Sequence, residues 1–340
     1  MSELKTATKR NDINILYTIG TILAVFGHSR PNAGFGYEGS VLNQIIIFIY
    51  TFHMPLFFII AGILLYNSKS LEQKSYGAFI KDKALKLLTP YVILTAVFLI
   101  PKGYVEFGSL EFLNFEFILK AFFSPRDNTW GHFWFLPVLF VCYIIAAGFK
   151  KLTLKLDEKY APIFLMTFMV LSGLLMARPI NTNWLGLKDI SQNLFYMQFG
   201  MILALCEQHL KVNLNKALKI IIAVLLVAVS VVAFIYNYAV LKGLIAMCML
   251  LSLILMAKAF GNFFETGFSF ISKNIFTIYI YSWIFQSFAL ILLTKLNVNL
   301  LVLNITMFVV GVLAPLLIAF IYKKLKKLNC KFFDLCLGVR

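Results

Sequence analysis

The sequence predicts an all-α, polytopic integral membrane protein with about ten transmembrane helices. Of its 340 residues, 61% are apolar and only 14% are charged, whereas soluble domains are about half apolar and about a quarter charged. The apolar residues form long runs, and a membrane-spanning helix needs about 20 such residues. Basic residues fall mainly between these runs, where they set the orientation of membrane helices.

Ten stretches are apolar enough and long enough to be predicted as spans. They are 11–29, 41–66, 85–101, 133–149, 161–177, 191–207, 219–240, 243–260, 274–294 and 300–322. The first stretch follows three basic residues, as in a signal peptide, but no small-x-small cleavage site comes after it, so we expect an anchor helix. The sequence shows no domain boundary, linker or convincing repeat, and residues 1–340 are predicted to form a single membrane domain.

The positions of Lys and Arg predict that both termini lie in the cytoplasm. With the first span entering from the inside, 23 of the 31 basic residues fall in cytoplasmic segments and eight fall outside. Such an excess is typical of cytoplasmic loops. The KKLKK run at 323–327 is then a topology signal and a contact for anionic lipid. The lipid bilayer is therefore an expected partner, and nucleic acid is not.

The five cysteines are scattered over apolar runs and a basic tail, and we predict that they are reduced. Cys330 and Cys336 have no second pair or nearby histidine that would complete a metal site. The sequence therefore predicts no metal.

The first predicted helix carries a row of polar side chains. At about 100° per residue, Arg10, Asn14, Tyr17, Thr21 and His28 lie within about 40° of one line. Polar residues at membrane depth are costly, which favours a functional role. The row would lead from a cation at the inner mouth to an imidazole near the outer surface. A histidine that packs against a neighbouring carbonyl is an equally good interpretation of His28.

Two more histidines are predicted in the middle or outer half of the membrane. His53 lies in FHMPLFF of the second span, and His132 opens the fourth span in HFWFLP. Histidine titrates near neutral pH, so His28, His53 and His132 are candidates for a general base that takes a proton from a hydroxyl. Pro55 is expected to disturb the helix close to His53. His209 lies in a basic inner loop and is interpreted as solvated surface.

A second polar row is predicted on the ninth span. Ser272, Tyr279, Ser282 and Gln286 are spaced seven, three and four residues apart, as on one helix face. Interhelical hydrogen bonding explains this row as well as substrate binding does.

Two lysines at the cytoplasmic entry to the third span also have two interpretations. Lys83 and Lys86 either hold this helix end on the cytoplasmic side, as the positive-inside rule predicts, or bind a phosphate-bearing ligand. Near the outer surface, Trp130 and Trp134 are candidates for stacking against a sugar.

Six segments, in chain order, resemble the membrane-bound acyltransferase family 3, and within it the fucose 4-O-acetylase-like branch. They are AVFGHS (24–29), FHMPLFFIIAGILL (52–65), KALKLLTPY (83–91), HFWFLPVLFVCY (132–143), FYMQFGMIL (195–203) and ISKNIFTIYIYSWIFQ (271–286). The resemblance extends over nearly the whole chain.

This resemblance implies transfer of an acyl group, usually acetyl from cytoplasmic acetyl-CoA, to a sugar hydroxyl of an extracytoplasmic glycan or its lipid-linked precursor. Acetyl-CoA would be a donor substrate rather than a permanently bound cofactor, and the protein would lie in the cell (inner or plasma) membrane. The family's first helix ends in a histidine thought to act as the base, which His28 matches. Arg10, Lys83 and Lys86 would hold the donor at the inner mouth.

The sequence departs from the family at two positions of the first helix. The family usually has an Arg, or in this branch a Lys, eleven residues before the histidine, where this chain has Tyr17. An acidic residue is common three positions earlier, where this chain has Asn14. We expect Arg10 or a lysine to take over part of the missing cation's role. Some members append a soluble SGNH esterase-like domain, but only 18 residues follow the last span, so direct transfer or a separate partner is expected.

Two other functions would use some of the same features. A transporter or flippase for a lipid-linked sugar would also use a polar cavity, inner lysines and stacking by Trp130 and Trp134. Transporters often show internal repeats with paired broken helices, which this sequence lacks. A glycan polymerase would be expected to carry large outer loops, whereas only the loop at 102–132 is sizeable. Acyl transfer is therefore the preferred prediction, with transport as the alternative.

Overall fold

The computed structural model describes residues 11–30, 39–111, 113–128, 130–157, 159–210, 214–261, 270–296 and 298–324. The regular structure in these ranges is helical and contains no strand, which confirms the all-α prediction. The helices are α1 (Asn11–His28), α2 (Val41–Tyr50), α3 (His53–Tyr66), α4 (Lys69–Gln73), α5 (Tyr76–Phe107), α6 (Phe115–Phe123), α7 (Phe135–Thr153), α8 (Ala161–Ala177), α9 (Leu187–Leu210), α10 (Lys216–Phe260), α11 (Ile275–Lys295) and α12 (Leu300–Lys324).

Six segments within the described ranges are long and apolar enough to cross a membrane. They are Val41–Tyr66, Tyr76–Pro101, Gly131–Thr153, Lys216–Phe260, Ile275–Lys295 and Leu300–Lys324. Helix α8 is apolar but shorter. The predicted number of about ten spans is therefore not confirmed, although each of the ten predicted stretches lies in helical structure.

Two predicted interruptions of helices are found in the structure, the second at a shifted position. The stretch 41–66 is interrupted at Thr51 and Phe52, close to Pro55, which has no N–H to donate to the preceding turn. The predicted break between the stretches 219–240 and 243–260 is found at Asn237, whose non-helical backbone angles divide α10 into two helical halves. The two halves of α10 pack side by side, since Ser252 Oγ donates a hydrogen bond of 3.0 Å to the Ala223 carbonyl oxygen. Residues 241 and 242 are themselves helical, so the break lies four residues earlier than predicted.

The predicted long loop at 102–132 is largely helical. Helix α5 extends to Phe107, and α6 begins after Asn114, whose side chain accepts a hydrogen bond from Phe117 N at 2.8 Å. On α6, Lys120 donates a hydrogen bond to the Glu116 carboxylate. This hydrogen bond lowers the pKa of Glu116 and raises the pKa of Lys120.

The described helices fall into two compact units. The first contains the described residues up to Phe57 and those from 214 to 324, which comprise α1, α2, the start of α3 and α10 to α12. A core cluster in this unit joins Val25, Ile278 and Leu316, with Phe308 and Val312 packed against it. The cluster packs the end of α1 against α11 and α12, and this arrangement positions the candidate site.

The second unit contains residues 58–210, with the remainder of α3 and α4 to α9. Helices α3 and α9 approach each other through two glycines. A Cβ added to Gly62 would lie 2.0 Å from the Met197 carbonyl oxygen, and one added to Gly200 would lie 2.2 Å from the Ile59 carbonyl oxygen. Small residues of this kind allow two helix backbones to make direct contact.

Candidate active site

The last turn of α1 carries His28, and a tyrosine from α2 holds this turn in place. Tyr50 Oη donates a hydrogen bond of 2.7 Å to the carbonyl oxygen of Gly27. A Cβ added to Gly27 would lie 2.5 Å from the Tyr50 ring, so glycine permits this close approach. Carbonyls at a helix C-terminus lack intrahelical partners, and Tyr50 supplies one beside His28.

Two side chains from α11 and α12 hold the same turn of α1. Gln286 Nε2 donates to the Val25 carbonyl oxygen at 2.8 Å. That carbonyl is open to Gln286 because Ser29 N donates to Phe26 O instead, which tightens the helix end. Asn304 Nδ2 donates to Ser29 O at 3.1 Å and to Ser29 Oγ at 3.0 Å. Three helices thus fix the backbone on both sides of His28.

The aromatic ring of Tyr50 is also close to two of the predicted histidines. The ring centroid of His28 lies 6.2 Å from that of Tyr50, and the His53 centroid lies 5.1 Å from it. The guanidinium carbon of Arg30 is 5.5 Å from the Tyr50 centroid. The structure therefore brings His28 and His53 to one tyrosine in the first unit.

His53 has a defined arrangement of ring protons. It is 5% exposed, and its Nδ1 lies 3.1 Å from the Ile49 carbonyl oxygen. A carbonyl oxygen only accepts hydrogen bonds, so Nδ1 carries a proton. In the neutral ring, Nε2 is then the basic nitrogen, and base chemistry at His53 would use that atom.

The polar row predicted on α1 retains its helical spacing. Tyr17 is followed by Thr21, whose hydroxyl donates to the Tyr17 carbonyl oxygen at 2.9 Å, and the Tyr17 ring lies 6.1 Å from that of Phe57. Tyr17 and His28 are eleven residues apart, or about 16 Å along the helix axis. Tyr17 therefore lies about three helix turns from the imidazole. Asn14 is partly exposed on the same helix, and Arg10 lies outside the described residues.

The polar row predicted on the ninth span is shorter than expected. Ser272 precedes the start of α11 at Ile275, so it does not share a helix with the other members, because Lys273 and Asn274 form a turn. Ser282 and Gln286 are buried, whereas Tyr279 is partly exposed. For Gln286 the contact with Val25 fits the interhelical interpretation. Substrate binding by Tyr279, Ser282 and Gln286 stays a prediction.

The third histidine and the two tryptophans belong to the second unit. The His132 ring lies 4.4 Å from the Phe133 ring. Trp130 is 6% exposed and packs edge-on against Phe98, while Trp134 is 7% exposed. This burial indicates that both tryptophans pack inside the protein. Stacking of either tryptophan against a sugar stays a prediction.

An ion pair beside these tryptophans was missed by the sequence analysis. Arg126 donates two hydrogen bonds, of 2.9 and 2.6 Å, to the carboxylate of Asp189. The guanidinium carbon of Arg126 also lies 3.9 Å from the Trp134 ring centroid. Asp189 is 2% exposed and stands only two residues before the predicted span 191–207. An acidic residue so close to a predicted membrane span indicates that a basic side chain pairs with it.

The lysines of α5 and α7 occupy different environments in the second unit. Lys83 Nζ lies 3.8 Å from the Tyr143 ring centroid, and Lys86 is exposed. Lys150 Nζ lies 3.8 Å from the Tyr66 centroid. Lys150 is one of the 23 basic residues that the sequence places on the cytoplasmic side. Among the described residues no group of three or more His, Cys, Asp or Glu is arranged to hold a metal ion, while Cys330 and Cys336 lie beyond them.

Comparison with known proteins identifies the family. Residues 10–324 match the family model Acyl_transf_3, described as an acyltransferase domain. No curated protein and no solved structure matches the chain significantly, and the fucose 4-O-acetylase-like branch stays a prediction. Because the family match extends over nearly the entire chain and includes every helix of both units, this protein belongs to acyltransferase family 3.

Proposed function

We propose that this protein is a membrane acyltransferase that moves an acetyl group from cytoplasmic acetyl-CoA to a hydroxyl of an extracytoplasmic or lipid-linked glycan. Family membership supports acyl transfer, and the six long apolar segments support a membrane setting. The observation that carries the mechanism is the turn of α1 around His28, which hydrogen bonds from three helices hold in place.

In the proposed reaction, His28 is the general base. Its imidazole takes the proton of the acceptor hydroxyl while the hydroxyl oxygen attacks the thioester carbonyl carbon. The carbon–sulfur bond then breaks, and the imidazolium returns the proton to the departing CoA thiolate. A positioned base of this kind contributes about 10² to 10⁴ in rate, provided that its position is fixed. The hydrogen bonds around Gly27 and Ser29 supply this rigidity.

The proposed orientation puts the donor and acceptor on opposite sides of the membrane. The basic segment that contains Lys83 and Lys86 would face the cytoplasm and hold the phosphates of acetyl-CoA. The segment between α5 and α7 would face outward. Gln73 and Glu111 are exposed residues of these two segments, so Gln73→Cys and Glu111→Cys should react with an impermeant maleimide from opposite sides. Labelling from one side for both would contradict the orientation.

The proposed function is tested with purified protein and with intact cells. The wild type should release the CoA thiol from acetyl-CoA in the presence of acceptor, and cell-surface glycan should gain the mass of acetyl groups that depend on the gene. His28→Ala should lower the rate by about 10² or more. His209→Ala is the matched control and should be nearly silent.

The outcomes separate the competing functions. Acceptor that crosses the membrane unmodified, without release of CoA thiol, would favour the transport alternative. Full glycan modification by the His28→Ala variant would remove His28 as the base. The search would then move to His53 and His132.

A further inference from the structure

Lys150 is a buried cation in the last turn of α7. The residue is only 8% exposed, although lysine is rarely buried unless its charge is paired. Its ammonium group faces the ring of Tyr66 at 3.8 Å. Within the described part of the chain, no carboxylate forms an ion pair with Lys150. A cation–π contact offsets part of the cost of burying a charge but supplies no counter-charge.

The acidic residues near Lys150 do not pair with it. Asp82 forms an ion pair with Lys74. Glu72 is exposed, and its charge reaches Lys150 only through space. The next lysine, Lys151, instead donates hydrogen bonds to backbone carbonyls of the α4 segment, at 2.9 Å to Lys74 O. Within the described ranges, folding therefore pairs or solvates the neighbouring charges and places no carboxylate at the Lys150 ammonium.

A second lysine, from α5, contacts a tyrosine ring on the same face of α7. Tyr143 and Lys150 are seven residues apart, which places them on one face of the helix and about 10 Å apart along its axis. Lys83 of α5 contacts the Tyr143 ring at 3.8 Å. Helix α5 is tied to this part of α7 by the hydrogen bond from Tyr76 Oη to Ile144 O, 2.7 Å long. The second unit thus has two ammonium groups associated with one face of α7, one at the ring of Tyr143 and one on the side chain of Lys150, about two helix turns further along.

We propose that Lys150 binds a phosphate group of the nucleotide portion of the acyl donor, with Lys83 placed to meet a second phosphate of the same molecule. This site rests on the proposed function and extends it to a residue beyond the lysines predicted from the sequence. Coenzyme A carries a pyrophosphate and a separate ribose phosphate, so a pair of spaced cations matches its charge distribution. A phosphate at Lys150 supplies the counter-charge that no side chain in the described part of the chain provides.

The test measures the thermal stabilisation of the purified full-length protein by adenosine 3′,5′-bisphosphate, the nucleotide end of coenzyme A. A ligand that binds the folded state raises the melting temperature by an amount that grows with the logarithm of its concentration divided by its Kd, so a titration gives the affinity. Lys150→Gln should weaken the affinity by about tenfold to a hundredfold, as expected for loss of one charge-assisted contact, and Lys150→Arg should restore part of it. The control is Lys155→Gln, which removes the same charge from an exposed position of the same segment.

The ligand-free melting temperature separates binding from a structural role. Because the Lys150 ammonium has no anionic partner in the described structure, Lys150→Gln should not lower this temperature, and a marked fall would show that the lysine is structural and overturn the proposal. Equal affinities for the bisphosphate in Lys150→Gln and Lys155→Gln would also overturn it.

Two further experiments identify the molecule that supplies the phosphate. Inorganic phosphate should compete with the bisphosphate in the wild type and not in Lys150→Gln. An effect of Lys150→Gln seen only in phosphatidylglycerol nanodiscs, and not with the bisphosphate, would assign the site to a lipid headgroup and overturn the donor assignment. Lys150-dependent binding without release of CoA thiol from acetyl-CoA would support the phosphate site while contradicting the proposed function.

Discussion

Replacing Tyr50 with phenylalanine tests whether the clamped end of α1 serves catalysis. Tyr50→Phe removes the hydroxyl that donates to Gly27 O at 2.7 Å and keeps the ring contacts with His28 and His53. The backbone carbonyl next to His28 then loses its partner, while the shape of the site is retained. The substitution therefore affects the position of the base more than the base itself.

The expected loss follows from the cost of an unsatisfied carbonyl. Leaving a buried acceptor without a donor costs about 1 to 3 kcal/mol. Tyr50 is only partly buried, so water can replace some of the lost bond, and we take a value near 1.4 kcal/mol, which is about tenfold in rate. We expect kcat to fall about tenfold. The KM for acetyl-CoA should change little, because no donor contact is removed.

The assay is release of CoA thiol by the purified enzyme at saturating acceptor, with the melting temperature measured in parallel. Tyr236→Phe is the matched control, because Tyr236 is 84% exposed and its hydroxyl makes no hydrogen bond within the described structure. A Tyr50→Phe enzyme with the wild-type kcat would refute the reasoning. A fall in melting temperature with unchanged kcat would show that Tyr50 stabilises the fold without positioning His28.

Two further predictions concern the second unit. Arg126→Ala leaves the carboxylate of Asp189 buried without its partner. The free energy of unfolding should fall by about 3 kcal/mol, at the low end for buried pairs because Arg126 is partly solvated. A thermal melt should show a marked fall in melting temperature, whereas Lys120→Ala, at an exposed pair, should leave the melting temperature unchanged. Gly62→Ala places a methyl group against a backbone carbonyl of α9 and should lower the free energy of unfolding by about 1 to 3 kcal/mol. Its control is Gly77→Ala, where an added Cβ has nothing within 4 Å, and this substitution should leave the stability unchanged or raise it slightly.

The placement of His28 was predictable from the sequence because it depends on local order. Hydropathy and helical periodicity act over a few turns, so they predicted α1 and the row from Asn14 to His28 on one face. They also located the disturbance near His53, since proline removes a specific backbone donor. In α10 the same reasoning predicted a break but placed it at 241–242, whereas the backbone leaves helical geometry at Asn237.

The partners that hold the site were decided by the tertiary structure. Gln286 and Val25 are separated by 261 positions, and Asn304 and Ser29 by 275. Periodicity showed that Gln286 lies on a polar helix face, but it carries no information about which carbonyl that face meets. The same limit hid the environment of Lys150, because its burial depends on how α3 and α4 pack against α7. Local sequence thus determined which side chains each helix presents, whereas packing between distant helices determined which of the described charges are paired.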